Sequence, residues 1–157
     1  MVTIGKKAPV FSLPDQNGEK VSLGSFTGKW LVLYFYPKDS TPGCTIEAVS
    51  FTKSLGDLTK RNAAVAGISA DSCESHAKFA EKSKLGITLL SDEKKSVIKK
   101  YGVWQEKNNY GKKYMGIVRT TFLINPAGTV VKVWEKVKVD GHAEDVLRTI
   151  DGMSGGY

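Results

Sequence analysis

Cysteine and histidine are both scarce in this chain of 157 residues, which holds two of each. So few cysteines exclude the disulfide framework of a small secreted scaffold. Cys44 and Cys73 do not form a C-x-x-C pair, and no Cys/His cluster has the spacing of a zinc site. Two lone thiols in a reducing compartment indicate either redox or nucleophilic chemistry or no chemical role, and we expect no metal.

Long apolar runs are absent as well. No stretch approaches the roughly 20 apolar residues of a membrane-spanning helix, so we expect no membrane partner. Residues 1–7 lack the apolar core of a signal peptide, which predicts a cytoplasmic protein unless a targeting peptide has been removed. The length and the ordinary composition, 41% hydrophobic and 25% charged, predict a single globular domain over residues 1–157.

Acidic residues are in the minority, and the net charge is +7, so nucleic acid or another acidic partner has to be considered. The lysines are scattered, however, and no basic run alternates with aromatic residues. A solvated basic surface without a nucleic-acid partner is therefore the favoured interpretation. The alternative from another functional class is a basic module that binds nucleic acid or a protein partner, in which Cys44 is structural.

The most informative stretch is an apolar run over 30–36 followed by a turn. Its length and its aromatic and β-branched residues predict a strand buried on both faces. Thr41 suits the N-cap of a following helix, and Pro42 suits its first position. Gly43 and Cys44 then fall in the first turn, where free N–H groups and the helix dipole favour negative charge. A thiol at that place should ionise more easily and react as the thiolate.

The rest of the pattern predicts an N-terminal β-hairpin, alternating strands and helices, and a second hairpin before the last helix. The strand–cap–helix order predicts right-handed crossovers and a largely parallel sheet in an α/β fold. Strands are predicted over 9–14, 20–23, 63–69, 87–90, 119–124 and 129–134, helices over 42–61, 73–84, 92–100 and 141–151, a loop or small hairpin within 102–118, and a frayed tail over 154–157. The first helix is predicted to bury Ile46, Val49, Phe51, Leu55 and Leu58.

Further residues of interest are predicted to lie near Cys44, because the carboxyl ends of parallel strands share one edge of a sheet. Cys73 also begins a helix directly after a strand. If the strand over 119–124 runs antiparallel, as its hairpin permits, Arg119 starts it at that same edge. There its permanent charge would stabilise a thiolate and an anionic leaving oxygen; otherwise it reaches solvent. Glu47 would either orient side chains around the thiol or simply complement the helix N-terminus.

The two histidines are predicted to be unreactive. His76 falls early in the helix that begins at 73, and His142 begins the last helix. Neither has a visible metal partner, so we interpret both as surface or helix-capping residues.

The run over 36–47 resembles a known motif. Pro37, Thr41 and Cys44 reproduce the peroxiredoxin active-site pattern P-x-x-x-T-x-x-C, in the form found in the bacterioferritin comigratory protein (peroxiredoxin Q) subfamily. The similarity extends over almost the whole chain and includes segments within 8–13, 67–72, 75–79, 90–92, 101–104 and 119–124. A Pro, a Thr, a Cys and a distant Arg in this framework are a specific signal.

The resemblance implies a thioredoxin-like fold, with a central mixed β-sheet flanked by helices, and thiol peroxidase activity that needs neither a metal nor an organic cofactor. It makes Cys44 the peroxidatic cysteine, whose thiolate attacks the O–O bond of hydrogen peroxide or an organic hydroperoxide and becomes a sulfenic acid. The Thr41 hydroxyl would bridge the thiolate and the peroxide. Arg119 would form hydrogen bonds with both the thiolate and the peroxide.

The resemblance also implies the rest of the pocket. Backbone N–H groups of Gly43 and Cys44 would stabilise the charge that develops on oxygen. Pro37 and Pro42 would shape the pocket and exclude water, and Glu47 would lie beside them.

One departure from the family pattern concerns the second thiol. Many relatives carry a resolving cysteine five residues after the peroxidatic one, where this chain has Val49. Cys73 is then the remaining internal candidate, although two separate helix starts are further apart than a disulfide allows, so that pairing would require unwinding around Cys44. Otherwise the enzyme uses one cysteine and an external thiol, and Cys73 has no role.

The resemblance implies thioredoxin or another dithiol as the reductant and favours a monomer. A thioredoxin-type disulfide exchanger is the other enzymatic interpretation, and the missing C-x-x-C pair argues against it.

Overall fold

The computed structural model describes residues 2–154. Its strands are β1 Ser12–Pro14, β2 Lys20–Ser22, β3 Trp30–Phe35, β4 Ala63–Ser69, β5 Thr88–Ser91, β6 Trp104–Asn109, β7 Lys112–Ile117, β8 Thr120–Ile124 and β9 Val130–Trp134. Its helices are α1 Pro42–Lys53, α2 Leu55–Lys60, α3 Cys73–Lys82, α4 Ser96–Lys100 and α5 His142–Ser154, and a 3-10 turn covers Leu23–Phe26. Of the tail predicted over 154–157, Ser154 is instead the last residue of α5, and residues 155–157 lie outside the described part of the chain.

The central sheet has five strands in the order β5-β4-β3-β8-β9. Strands β3, β4 and β5 run parallel, as the strand–helix alternation predicted, and β8 pairs antiparallel with β3 on the other side. The sheet is therefore mixed, and a separate antiparallel hairpin of β1 and β2 precedes it. The predicted fold class is confirmed: a mixed sheet flanked by helices, with an N-terminal hairpin.

The two faces of β3 belong to two different hydrophobic clusters because successive side chains of a strand point to opposite faces. Leu31, Leu33 and Phe35 pack with the N-terminal segment and with α4. Val32 and Tyr34 pack with α1, α3 and α5. Cys44 belongs to this second cluster, so the face of the sheet that α1 covers is also the face that carries the thiol.

The buried face of α1 differs from the predicted one. Ile46 is 56% exposed, while Cys44, Glu47, Ala48 and Phe51 are the buried residues of the helix. Buried positions at 44, 47, 48 and 51 follow the helical period from Cys44, so the cysteine defines the inner face and Ile46 falls outside it. The predicted single helix to residue 61 is also divided at Ser54 into α1 and α2.

Residues 102–118 form the small hairpin of β6 and β7. Tyr110 and Gly111 make its turn, both with positive φ (54° and 82°), the combination that a tight two-residue hairpin turn requires. The predicted helix over 92–100 is shorter and begins at Ser96. Within residues 2–154, no helix combines the length and the apolar character that crossing a membrane requires.

Candidate active site

Cys44 lies in the first turn of α1, just beyond the carboxyl end of β3. Thr41 precedes the helix with an extended backbone (φ −81°, ψ 154°), and Pro42 takes the first helical position. The Thr41 side chain does not cap the helix; its Oγ1 donates a hydrogen bond to the Lys38 carbonyl oxygen at 2.8 Å. Pro37 is half-buried in the turn before α1, and Pro42 is exposed.

The Arg119 guanidinium contacts the Cys44 sulfur. Its Nη2 donates a hydrogen bond to Sγ at 3.3 Å. Arg119 immediately precedes β8, whose Thr120 lies opposite Phe35, the last residue of β3. The antiparallel course of β8 therefore brings a residue 75 positions away in sequence to the edge of the sheet where α1 begins.

Cys44 itself is only 1% exposed, so the thiol is not open to bulk solvent. Apolar neighbours from the second cluster, including Tyr34, Ala48 and Phe51, surround it. In such surroundings a fixed positive charge interacts strongly with a thiolate, because little water screens it.

Glu47 holds the other side of the guanidinium. Its Oε1 accepts a hydrogen bond from Arg119 Nη1 at 2.6 Å, and its side chain is 1% exposed. Burial raises the pKa of Glu47 to about 7, although the neighbouring Arg119 pulls it downward. Burial disfavours the charged Arg119, but its contacts with Glu47 and Cys44 outweigh that cost and raise its pKa. Of the two roles considered for Glu47, this geometry supports orientation of the site.

Gly43 allows the guanidinium to come this close. A Cβ atom at this position would lie 3.2 Å from Arg119 Nη2, tighter than ordinary packing. A side chain here would require the guanidinium to shift by a few tenths of an ångström, so the close approach, rather than an unusual backbone angle, favours glycine at this position.

Lys107 is a second cation on the same side of the molecule, and no pattern in the sequence indicated it. Its Nζ donates a hydrogen bond to the Ile117 carbonyl oxygen at 3.0 Å. Burial and the neighbouring Arg119 lower its pKa, while Cys44 acts in the opposite direction. The hairpin of β6 and β7 thus adds positive charge near the thiol.

Cys73 is the first residue of α3 and is half-buried. Its helix follows β4, the parallel neighbour of β3, so both cysteines lie at the same edge of the sheet. Both are free thiols in this structure.

The prediction that the two histidines are surface or capping residues is wrong. His76 is 0% exposed, with Nδ1 2.7 Å from Asp39 Oδ2 and Nε2 2.9 Å from the Leu90 carbonyl oxygen. The sequence could not show this, because both partners come from distant parts of the chain. The available signal was an Asp inside the active-site turn and a His one turn into the helix after the next strand.

His142 is also buried, at 5% exposure, with Nε2 2.9 Å from Thr121 Oγ1. Burial lowers its pKa to about 4, so the ring is neutral at neutral pH. It packs edge-on against Phe51 and Trp134 and therefore belongs to the core beneath α1 and α5.

Comparison with known proteins gives concordant matches. Residues 4–133 match the family model described as AhpC/TSA family. The chain is 51% identical to a putative peroxiredoxin bcp of Coxiella burnetii, over 93% of this chain and 97% of that protein. It is 46% identical to peroxiredoxin Bcp of Bacillus subtilis, over 98% of each.

Solved structures agree. A bacterioferritin comigratory protein of Xanthomonas campestris, studied for its alkyl peroxide reduction activity, is 43% identical with a TM-score of 0.86, covering 91% of each chain. A PrxQ of Xylella fastidiosa is 37% identical with a TM-score of 0.93, covering 98% of each chain.

Proposed function

The chain belongs to the AhpC/TSA family and is a thiol peroxidase of the peroxiredoxin Bcp type, and from this premise we propose that Cys44 is its peroxidatic cysteine. The observation that carries the proposal is the 3.3 Å hydrogen bond from Arg119 Nη2 to the Cys44 sulfur. A thiolate is the nucleophilic form of cysteine, and a guanidinium stays charged at any working pH. Their contact stabilises the reactive anion.

The reaction breaks the O–O bond of the peroxide. The Cys44 thiolate attacks one oxygen, an S–O bond forms, and the second oxygen leaves with the electron pair as hydroxide or alkoxide. That oxygen takes up a proton and departs as water or alcohol, and Cys44 becomes a sulfenic acid. Arg119 and the N–H groups of Gly43 and Cys44 offset the negative charge as it moves from sulfur to oxygen.

Thr41 has a defined part in this proposal. Because its hydroxyl proton points to the Lys38 carbonyl oxygen at 2.8 Å, its oxygen lone pairs are left to accept a hydrogen bond from the peroxide O–H. That contact would hold the substrate between Thr41 and Cys44. Pro37 and Pro42 add no N–H donors that would attract water to this turn.

Peroxiredoxins act on peroxides and are recycled by thioredoxin-like reductants. For this chain we propose that the Cys73 thiol attacks the Cys44 sulfenic acid, which forms a disulfide and releases water, and that thioredoxin or another dithiol then reduces it. The position of both cysteines at one edge of the sheet supports this route. Because Cys44 is 1% exposed, the first turn of α1 must open before the two sulfurs can meet. We also propose that the enzyme works as a cytoplasmic monomer, without a nucleic-acid or membrane partner.

Mass spectrometry after one equivalent of peroxide tests both cysteines. We expect an internal disulfide in the unaltered protein, a trapped sulfenic acid in Cys73→Ser and no reaction in Cys44→Ser. Turnover with thioredoxin should stop in Cys73→Ser. Normal thioredoxin-supported turnover of Cys73→Ser would instead establish the one-cysteine route, and peroxide consumption by Cys44→Ser would overturn the peroxidatic assignment.

A further inference from the structure

The turn between β3 and α1 is bound to the start of α3 through one residue, Asp39. Its Oδ2 accepts a hydrogen bond from Ser75 Oγ at 2.8 Å and lies 2.7 Å from His76 Nδ1. Its backbone N–H donates to Asp71 Oδ2 at 2.9 Å. We call the four residues Asp39, Asp71, Ser75 and His76 the Asp39 clasp.

The clasp contains a buried carboxylate, Asp39, in contact with a buried imidazole, His76. The Leu90 carbonyl oxygen can only accept, so His76 Nε2 carries a hydrogen. Burial raises the pKa of Asp39, but hydrogen bonds from His76, Tyr36 and Ser75 outweigh it and lower that pKa, so the carboxylate is ionised. The His76 ring thus bridges the Asp39 carboxylate and the Leu90 carbonyl oxygen, with nitrogen–oxygen distances of 2.7 and 2.9 Å. Such a contact is held strongly, because removing either partner leaves a buried polar group without its hydrogen bond.

Ser40 lies between this anchor and the N-cap Thr41, and its backbone is left-handed with φ of 62°. A residue other than glycine pays a steric cost in that region and remains there only when its surroundings impose it. Asp39 on one side and α1 on the other impose it here. The clasp therefore helps to hold Ser40 in this conformation.

We propose that the Asp39 clasp holds α1 in its closed position and thereby sets how often Cys44 leaves Arg119 to meet Cys73. Asp39 and His76 are positioning residues in this role, since neither contacts the reacting sulfur. The proposal rests on the peroxidatic role of Cys44. It adds that the segment carrying Cys73 also controls the release of Cys44, because residues 71–76 provide the partners of Asp39.

Two opposite effects follow when the clasp is weakened. The peroxide reaction slows, because Cys44 spends less time beside Arg119. Disulfide formation accelerates, because the sulfenic acid reaches Cys73 more often. Overoxidation, in which a second peroxide converts the sulfenic acid to a sulfinic acid and water, declines because it competes with the disulfide.

The experiment compares Asp39→Asn and Ser75→Ala with the unaltered enzyme. For Asp39→Asn we expect a roughly tenfold faster disulfide step, the size of effect that losing charge-assisted hydrogen bonds produces, together with a slower peroxide reaction. Ser75→Ala removes one bond and should shift both rates in the same directions by less. Rapid-mixing fluorescence measures both rates. The fraction of Cys44 found as sulfinic acid at high peroxide measures how often overoxidation occurs before the disulfide forms.

Opening is also measured independently of resolution. In a Cys73→Ser background, alkylation of reduced Cys44 by a bulky maleimide should accelerate with Asp39→Asn and less with Ser75→Ala. This readout stands even if Cys73 proves not to be the resolving cysteine. The maleimide reaction should disappear in Cys44→Ser, which would show that the reagent reports on this thiol.

Asp92→Asn is the matched control. Asp92 is another buried acid and binds the backbone N–H of Ile98 at 2.7 Å, outside the clasp. Its substitution should lower the unfolding temperature and leave the alkylation rate and the overoxidised fraction unchanged. Equal changes in Asp92→Asn and Asp39→Asn, or an unchanged alkylation rate in Asp39→Asn, would overturn the clasp proposal while leaving the role of Cys44 intact.

Discussion

At the scale of single residues, the site is organised by one guanidinium with two neighbours. Arg119 donates to Glu47 at 2.6 Å and to the Cys44 sulfur at 3.3 Å, so Glu47 fixes the orientation in which the guanidinium meets the thiol. A planar, forked group can make both contacts at once, and a lysine ammonium cannot reproduce them. The site therefore depends on the forked shape of the arginine side chain as well as on its charge.

Arg119→Ala should slow the reaction with peroxide by about 100-fold, the typical loss when one preorganised donor is removed from a charge-stabilising site. Arg119→Lys should recover only part of it, because the two simultaneous contacts are lost. Stopped-flow measurement of the second-order rate constant checks both. Arg148→Ala, at an exposed arginine of α5, is the control and should keep the unaltered rate. A full rate in Arg119→Ala would remove this residue from the site.

At the scale of elements, the sequence predicted what depends on neighbours along the chain. The buried strand over 30–36, the N-cap Thr41 and the helical start at Pro42 are local patterns, and β3 and α1 follow them. The burial of His76 and the exposure of Ile46 were not predicted, since both depend on which distant element covers the helix. Hydrophobic spacing alone treated Ile46 as core, because it gave no weight to a buried cysteine and a buried glutamate on the opposite face.

Helix α1 offers a test of how closely Arg119 must approach it. In Gly43→Ala the new Cβ would lie 3.2 Å from Nη2, so the guanidinium must shift by a few tenths of an ångström while Glu47 still holds it. We expect the peroxide rate to fall roughly threefold to tenfold, because small displacements of catalytic groups are costly.

The control for this variant is Gly56→Ala in α2. Nothing lies within 4 Å of a Cβ atom at Gly56, and alanine is the better helix former. That substitution should raise the free energy of unfolding by about 0.5–1 kcal/mol and leave the rate unchanged. Equal rates in the two variants would show that Arg119 tolerates a side chain at position 43.

At the scale of the whole molecule, two buried ionisable groups make the stability of the fold depend on pH. Glu47 and His142 are both buried in the region of α1, yet burial moves their pKa values in opposite directions, to about 7 and about 4. Each group loses water on folding, and in each the neutral form is favoured. The stability of the chain therefore contains two opposing dependences on pH that no local pattern reveals.

The direction of each pH dependence follows from how many protons the folded and the unfolded states bind. Between pH 5 and 7 the folded state holds more proton on Glu47 than the unfolded state does, so this group makes stability fall as pH rises. His142 binds its proton only after unfolding, so its contribution is lost as pH falls and makes stability rise with pH. Each amounts to about 2 kcal/mol over this window, and the two nearly cancel.

Single substitutions should separate the two contributions. In Glu47→Gln only the contribution of His142 remains, so the free energy of unfolding of this variant should rise by about 2 kcal/mol from pH 5 to pH 7 relative to the unaltered chain. In His142→Asn only the contribution of Glu47 remains, so the free energy of unfolding should fall by a similar amount over the same pH range. Urea unfolding of the reduced proteins at both pH values measures the differences, and the titrations of exposed groups cancel in the comparison. If both variants keep the pH dependence of the unaltered chain, these groups do not ionise as their burial requires.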